Sequence, residues 1–79
     1  MTTQAKFKEW LIAQDQPILN QLGIDSIISN FNENLEIIGG NDLERQVLAE
    51  LQRLFLEEQE GESPVAIQYQ LSSFLETFF

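Results

Sequence analysis

Residues 41–60, NDLERQVLAELQRLFLEEQE, decide the fold because they carry the clearest helical pattern of the chain. Asn41 and Glu44 have the spacing of a capping box, in which each side chain accepts a hydrogen bond from the other residue's backbone N–H. Apolar residues recur at intervals of three and four: Leu43, Val47, Leu48, Leu51, Leu54 and Phe55. This spacing predicts an amphipathic helix from about Asp42 to Glu60.

The preceding segment, residues 24–38, shows a second helical pattern. Its apolar residues fall on one side of a helical wheel: Ile24, Ile27, Ile28, Phe31, Leu35 and Ile38. We therefore predict a helix here, with Asp25 or Ser26 capping its start and Gly39 closing its end in the left-handed conformation. Three asparagines weaken this helix, since short polar side chains compete for backbone hydrogen bonds.

The segment before Gly23 is also expected to be helical. Phe7, Trp10 and Leu11 have helical spacing and share one face. Pro17 interrupts this pattern and is expected to open a short further turn of helix, because proline is tolerated in a first turn. Gly23 then ends that turn.

The last segment allows two interpretations. Gly61 stops the preceding helix, and Ser63-Pro64 is typical of a cap followed by a first-turn proline. A final helix is predicted by an apolar stripe made of Ile67, Leu71, Phe74, Leu75 and Phe78. Apolar and polar residues also alternate over residues 65–71, which is typical of a half-buried strand.

Four amphipathic segments with short connections predict an all-α fold, a small antiparallel four-helix bundle in which each apolar stripe packs against the others. The alternative is an α+β fold with a short strand at 65–71. In both cases we expect one domain over residues 1–79, since this length suits a single hydrophobic core.

The composition excludes several classes of chemistry. The 79 residues include neither histidine nor cysteine, so disulfides and hydrolase sites built on histidine are excluded. The remaining groups are carboxylates, Tyr69 and lysines, and a bundle of this size hardly encloses a substrate pocket, so we expect no enzymatic activity. We also expect no metal site: Asn30, Asn32 and Asn34 alternate as in a calcium loop, but Leu35 replaces its glycine.

Charge and hydropathy restrict the partners. Thirteen acidic and four basic residues give a net charge of −9, which repels nucleic-acid phosphates and anionic lipids. We therefore expect no direct nucleic-acid binding and no membrane association. The N-terminal residues lack the apolar run of a signal peptide, and no long apolar stretch follows, so we expect a cytoplasmic protein.

Two groups of residues are candidates for binding a partner protein. Glu57, Glu58, Glu60 and Glu62 crowd the end of a predicted helix, where the helix dipole already places negative charge. Such an acidic cluster is either a solvated helix end or a binding surface for a basic partner. The second group consists of aromatic residues with a candidate exposed position: Trp10, Tyr69 and Phe79.

One short motif resembles a known family. Residues 22–27, LGIDSI, are similar to the attachment motif of acyl and peptidyl carrier proteins. Size, acidity and four predicted helices are similar to that family as well. The resemblance implies that Ser26 carries a covalent phosphopantetheine arm. Helix capping by Asp25 and Ser26 explains the same residues without any cofactor.

Three functional hypotheses follow. The leading one is a non-enzymatic acidic interaction, adaptor or docking module that binds another protein through a basic surface of that partner, with self-association into a homodimer as a further option. The alternatives are a carrier protein modified on Ser26, and an inhibitor whose carboxylates mimic nucleic-acid phosphates and block a basic groove.

Overall fold

The computed structural model describes residues 2–79, which form five α-helices and a bent loop between the third and the fourth. The helices are α1 (Thr3–Gln14), α2 (Pro17–Leu22), α3 (Ile24–Ile28), α4 (Asp42–Gln59) and α5 (Pro64–Phe78). Over residues 2–79 the β-type pairing is limited to one isolated bridge between Phe31 and Ile37. The prediction of an all-α fold is confirmed.

The N-terminus of α4 has the predicted capping box. The Asn41 side chain accepts a hydrogen bond from the Glu44 backbone N–H at 2.8 Å, and Glu44 Oε1 accepts one from the Asn41 N–H at 3.3 Å. The predicted apolar stripe of α4 is buried, with one exception. Leu43 is 61% exposed, because it lies in the first turn, outside the part of α4 that faces the core.

The predicted helix over residues 24–38 is wrong beyond Ile28. One side chain from α1 bonds carbonyl groups at and just after the end of α3. Gln4 Nε2 donates to the carbonyls of Ile28 at 3.3 Å and Phe31 at 2.9 Å. Within the segment, Asn30 Nδ2 donates to the Ser26 carbonyl at 3.0 Å. These bonds replace the next helical turn and end α3.

The loop that follows is built around Asn32. Its Oδ1 accepts hydrogen bonds from the backbone N–H groups of Asn34 and Glu36, both at 2.9 Å, which folds the chain into a tight turn. Leu35 lies in this turn with a φ of 65°, and its carbonyl accepts a hydrogen bond from Gln52 on α4. The turn buries Leu35 and Phe31, so these core positions agree with the prediction although the helix does not.

The predicted caps of this segment are also corrected. The N-cap of α3 is Gly23, with a φ of 90°, whereas Asp25 and Ser26 lie inside the helix. The left-handed glycine at the end of the segment is Gly40, with a φ of 92°, and not Gly39. At Gly39, a Cβ would lie 2.5 Å from the Asn30 Oδ1 atom, so a larger residue would displace the Asn30 side chain.

The strand alternative at 65–71 is wrong, because this range lies within α5. Burial follows the helical period: Ile67, Leu71 and Leu75 are buried, whereas Val65 and Tyr69 are 74% and 76% exposed. Pro64 occupies the first turn as predicted. Every third or fourth residue therefore faces the core, as a helix requires and a strand does not.

The core is centred on the aromatic ring of Phe7. This ring meets those of Phe31 and Phe55 edge to face, with centroids 5.0 Å and 5.2 Å apart. α4 packs against α5, and α3 packs against both α1 and α2. The antiparallel four-helix bundle is not confirmed, since its second helix is replaced by α3 and the loop. None of the helices in the described part of the chain is long and apolar enough to cross a bilayer.

Candidate functional site

An apolar groove lies where the ends of three helices meet. Its rim is formed by Leu22 at the end of α2, Leu43 in the first turn of α4, and Phe78 and Phe79 at the end of α5. The cavity within it has a volume of about 130 Å³. We call this feature the α2/α4/α5 groove.

Three exposed apolar side chains lie next to one another at the groove. Leu22, Leu43 and Phe79 are 44%, 61% and 58% exposed, and all three line the same cavity. Five other exposed large apolar residues of the described chain lie outside its lining: Ile12, Ile38, Leu56, Val65 and Tyr69. A contiguous apolar rim is a feature of binding surfaces, whereas scattered apolar residues are ordinary.

The floor of the groove belongs to the hydrophobic core. Ile27, Val47 and Leu48 line the cavity and are 6%, 7% and 4% exposed. Because these residues pack on the rest of the core, the depression is present before any ligand arrives. The floor of the groove is therefore fixed by core packing, whereas the rim side chains Leu22, Leu43 and Phe79 are exposed.

Three polar residues complete the lining: Ser26, Asn30 and Glu44. Glu44 is exposed, and its Oε1 is held by the capping bond from the Asn41 N–H. Asn30 is held by the bond from its side chain to the Ser26 carbonyl. Ser26 is exposed at the side of α3. The polar edge thus combines one fixed amide, one carboxylate and one accessible hydroxyl.

The acidic residues at the end of α4 separate into two pairs. Glu57 accepts a hydrogen bond from Arg53 Nη1 at 2.8 Å, and Arg53 also pairs with Glu50. The hydrogen bond to Glu50 raises the pKa of Arg53 above its ordinary value, against the opposing effect of burial. Glu58 accepts a 2.6 Å hydrogen bond from the indole Nε1 of Trp10.

The second pair of acidic residues faces solvent. Glu60 and Glu62 are both exposed, and Glu62 Oε1 accepts a hydrogen bond from the backbone N–H of Ser63. The predicted cluster of four carboxylates is therefore distributed between internal contacts and solvent. Glu60 and Glu62 are the members whose charges are most accessible to a partner.

The aromatic candidates lie in three different places. Trp10 was expected to be partly exposed, but it is 7% exposed and its ring stacks on Phe7, so this expectation is wrong. Tyr69 borders a second, wide-open depression of about 350 Å³ that also contains Arg53. Phe79 lies on the rim of the groove.

The structure therefore joins Ser26 and Phe79, among the candidates, in one site. The sequence reasoning missed Leu22 and Leu43 as rim residues, since helical spacing assigned Leu43 to the apolar stripe of α4 and Leu22 entered through the carrier-like motif. A detectable signal was their position, because each lies in a terminal turn of its helix, where a neighbouring helix covers less of the side chain. Periodicity alone does not show which turns are covered.

The arrangement supports binding through apolar contacts. In the described residues, no three potential metal ligands from among His, Cys, Asp and Glu lie close enough together to hold an ion. Comparison with protein-family models, with curated proteins and with solved structures finds no match to this chain. The groove is therefore the feature that bears on function.

Proposed function

We propose that the protein is a non-enzymatic interaction module, of the adaptor or docking kind, that binds another protein through the α2/α4/α5 groove. The observation that carries this proposal is the convergence of three exposed apolar side chains, Leu22, Leu43 and Phe79, on one cavity. A chain of 79 residues has a small hydrophobic core, so apolar side chains left at the surface reduce the apolar area that could stabilise the fold.

The energetics of the groove favour a macromolecular partner. Covering Leu43 and Phe79 removes apolar surface from water at about 25 cal/mol per Å². An aromatic rim residue such as Phe79 is well suited to anchor an interface, because it has few rotamers to restrict. The buried floor supplies a fixed shape for the partner's side chain.

Charge supports a partner with a basic surface. The net charge of −9 attracts such a partner at long range and accelerates its encounter. The same charge opposes the homodimer, because two copies repel each other. Glu60 and Glu62 are exposed at the end of α4 and add to this field.

Photo-cross-linking in the organism of origin tests the proposal. A photoreactive amino acid replaces Leu43 on the rim, and the matched control places it at Val65, which is 74% exposed and lies outside the groove lining. We expect a discrete cross-linked protein from position 43 and none from position 65. The cross-link should disappear when Phe79→Ser is added to the position-43 variant, because this change removes part of the rim.

Sedimentation velocity of the purified chain completes this test. Equal cross-linking at positions 43 and 65, or no cross-link at 43 in cells that contain the protein, would contradict the proposal. A stable dimer whose cross-link joins position 43 to a second copy would replace the heterologous partner with self-association. We expect a monomer, given the mutual repulsion of two acidic chains.

A carrier protein modified on Ser26 is the second candidate function. The observation that favours it is the position of Ser26, which is exposed and lines an apolar cavity where a short acyl group could shelter. Ser26 lies inside the five-residue helix α3, whereas the resemblance places the modified serine at a helix start.

Incubation with coenzyme A and a broad-specificity phosphopantetheinyl transferase tests this second candidate. A carrier gains the mass of the arm, and Ser26→Ala abolishes the gain while Ser29→Ala does not. A folded protein that stays unmodified would exclude this function.

A further inference from the structure

We infer that the α2/α4/α5 groove receives one apolar side chain from a basic amphipathic helix of a partner protein. This inference rests on the proposed function and specifies the chemistry of the partner at the same site. It follows from the volume of the cavity, the charge of its lining and the backbone of the elements around it.

The volume favours a side chain over a cofactor or a drug-sized ligand. Pockets for cofactors and drug-sized ligands generally enclose about 300 to 1,000 Å³. The groove holds about 130 Å³ above a floor of core residues. A single leucine, methionine or phenylalanine side chain is of that order, and its backbone would rest against Leu43 and Phe79 on the rim.

The charge of the lining selects a basic partner. Glu44 is exposed in the lining, and the described lining residues include no lysine or arginine. Asp42 is also exposed, in the first turn of α4. Glu76 is exposed on α5 and precedes Phe79 by three residues, so Glu76 and Phe79 lie on a similar side of that helix. Lysine or arginine residues flanking the anchor would meet these carboxylates.

Two of the four basic residues are already paired with carboxylates. Lys8 on α1 lies 2.8 Å from Asp25, so its charge is matched by that carboxylate. Arg53 is matched by Glu50 and Glu57 at the other half of α4. Arg45 follows Glu44 on α4 but lies outside the lining, and it offsets only one of the three carboxylates Asp42, Glu44 and Glu76. The edge of the groove therefore keeps a net negative charge that a basic partner would complement.

The backbone around the groove favours a helical segment over an added strand. Strand addition needs an open sheet edge, and the groove is bounded by the ends of α2, α4 and α5. A helix places apolar residues along one face and basic residues beside them, which fits an apolar cavity with an acidic edge. A second copy does not fit this description. α5 contains no lysine or arginine, α4 contains only Arg45 and Arg53, and α1, which carries Lys6 and Lys8, buries its large apolar residues Phe7, Trp10 and Leu11 in the core.

Three designed peptides of about 18 residues test the inference against the ¹⁵N-labelled full chain. The first has a leucine face and lysines on the other face. The second keeps the leucines and replaces lysine with glutamine, and the third keeps the lysines and replaces leucine with serine. Amide chemical shifts locate the binding surface, and titration at physiological salt gives the Kd.

We expect the lysine–leucine peptide to shift the amides of Leu22, Leu43 and Phe79, and to bind about tenfold tighter than either other peptide. Leu43→Ser should weaken its binding about tenfold, whereas Val65→Ser, at an exposed position outside the lining, should change it less than about twofold. Glu44→Gln should weaken it about threefold, since glutamine keeps the capping box but removes the charge. Glu33→Gln is the control with the same change in net charge.

The results of the peptide titrations distinguish a failure of the basic helical partner from a failure of the proposed interaction module. Equal binding of the glutamine–leucine peptide at the groove would overturn the basic partner and leave the interaction module standing. Equal binding of the lysine–serine peptide, or shifts confined to residues 57–62, would overturn the inference by showing charge attraction alone. The proposed function is tested separately, by the comparison of cross-linking at positions 43 and 65.

Discussion

Leu35 combines a left-handed backbone with a fully covered side chain. Its φ is 65°, a conformation that costs most non-glycine residues on the order of 1 kcal/mol, yet its side chain is 2% exposed. The bonds made by Asn32 to Asn34 and Glu36 hold the turn in this shape. The packing energy of one side chain therefore outweighs a strained backbone.

We predict that Leu35→Ala lowers the free energy of unfolding by about 2 to 5 kcal/mol, because it leaves a cavity in the core. Ile38→Ala is the control three residues away, at a position 59% exposed, and should change stability by less than about 0.5 kcal/mol. Urea unfolding followed by circular dichroism measures both.

A third variant tests the backbone contribution at the same position. Leu35→Gly should be at least as stable as Leu35→Ala, since relief of the positive φ offsets the greater entropy of unfolded glycine. A glycine variant less stable than the alanine variant by more than about 1 kcal/mol would show that this backbone is unstrained.

At the scale of an element, the two long helices of the second half begin differently. Asn41 caps α4 through its side chain, whereas Ser63 precedes α5 with no side-chain capping bond among the described contacts. Both residues are of types that favour N-cap positions. Comparing Asn41 with Ser63 therefore shows how much stability comes from the capping hydrogen bond itself and how much from having a cap-favouring residue at that position.

We predict that Asn41→Ala lowers the free energy of unfolding by about 0.5 to 2 kcal/mol, because the Glu44 backbone N–H loses its acceptor, the Asn41 Oδ1 atom, and the capping box is broken. Ser63→Ala should cost less than about 0.5 kcal/mol. Thermal unfolding compares the two variants. A Ser63→Ala cost as large as that of Asn41→Ala would mean that Ser63 forms a cap in solution.

At the scale of the whole molecule, the excess of carboxylates opposes folding. A net charge of −9 on a chain of 79 residues creates self-repulsion in the compact state. Lys8 and Arg53 relieve it locally through three ion pairs, with Asp25, Glu50 and Glu57. All three pairs are partly or largely exposed, so each contributes little.

We predict that raising NaCl from about 20 mM to about 0.5 M stabilises the protein by roughly 1 kcal/mol, because salt screens this repulsion. A Glu60→Gln/Glu62→Gln variant should be more stable than the parent at low salt and gain less from added salt. Urea unfolding at both salt concentrations measures the difference. Identical gains for the two proteins would attribute the effect to salting-out of apolar surface instead.

Sequence reasoning succeeded where structure is local. The capping box at Asn41 and the apolar stripes of α4 and α5 involve residues a few positions apart, so spacing alone predicts them. The groove was not predicted: Ser26 and Phe79 were separate candidates, one for modification and one for partner binding, and their proximity depends on how α3 and α5 pack. No pattern within either segment encodes that distance.

The amino-acid sequence by itself determined that the chain is helical, acidic and without the groups for histidine or cysteine chemistry. The tertiary structure decided how the end of α3 and the loop after it are held, since Gln4 bonds the carbonyls of Ile28 and Phe31 across 24 and 27 positions of sequence and Gln52 bonds that of Leu35 across 17. It also decided that Trp10 is buried and that three helix ends form a groove. The physical reason is range: periodicity and caps act within one or two turns, whereas long-range hydrogen bonds and burial exist only once the segments have met.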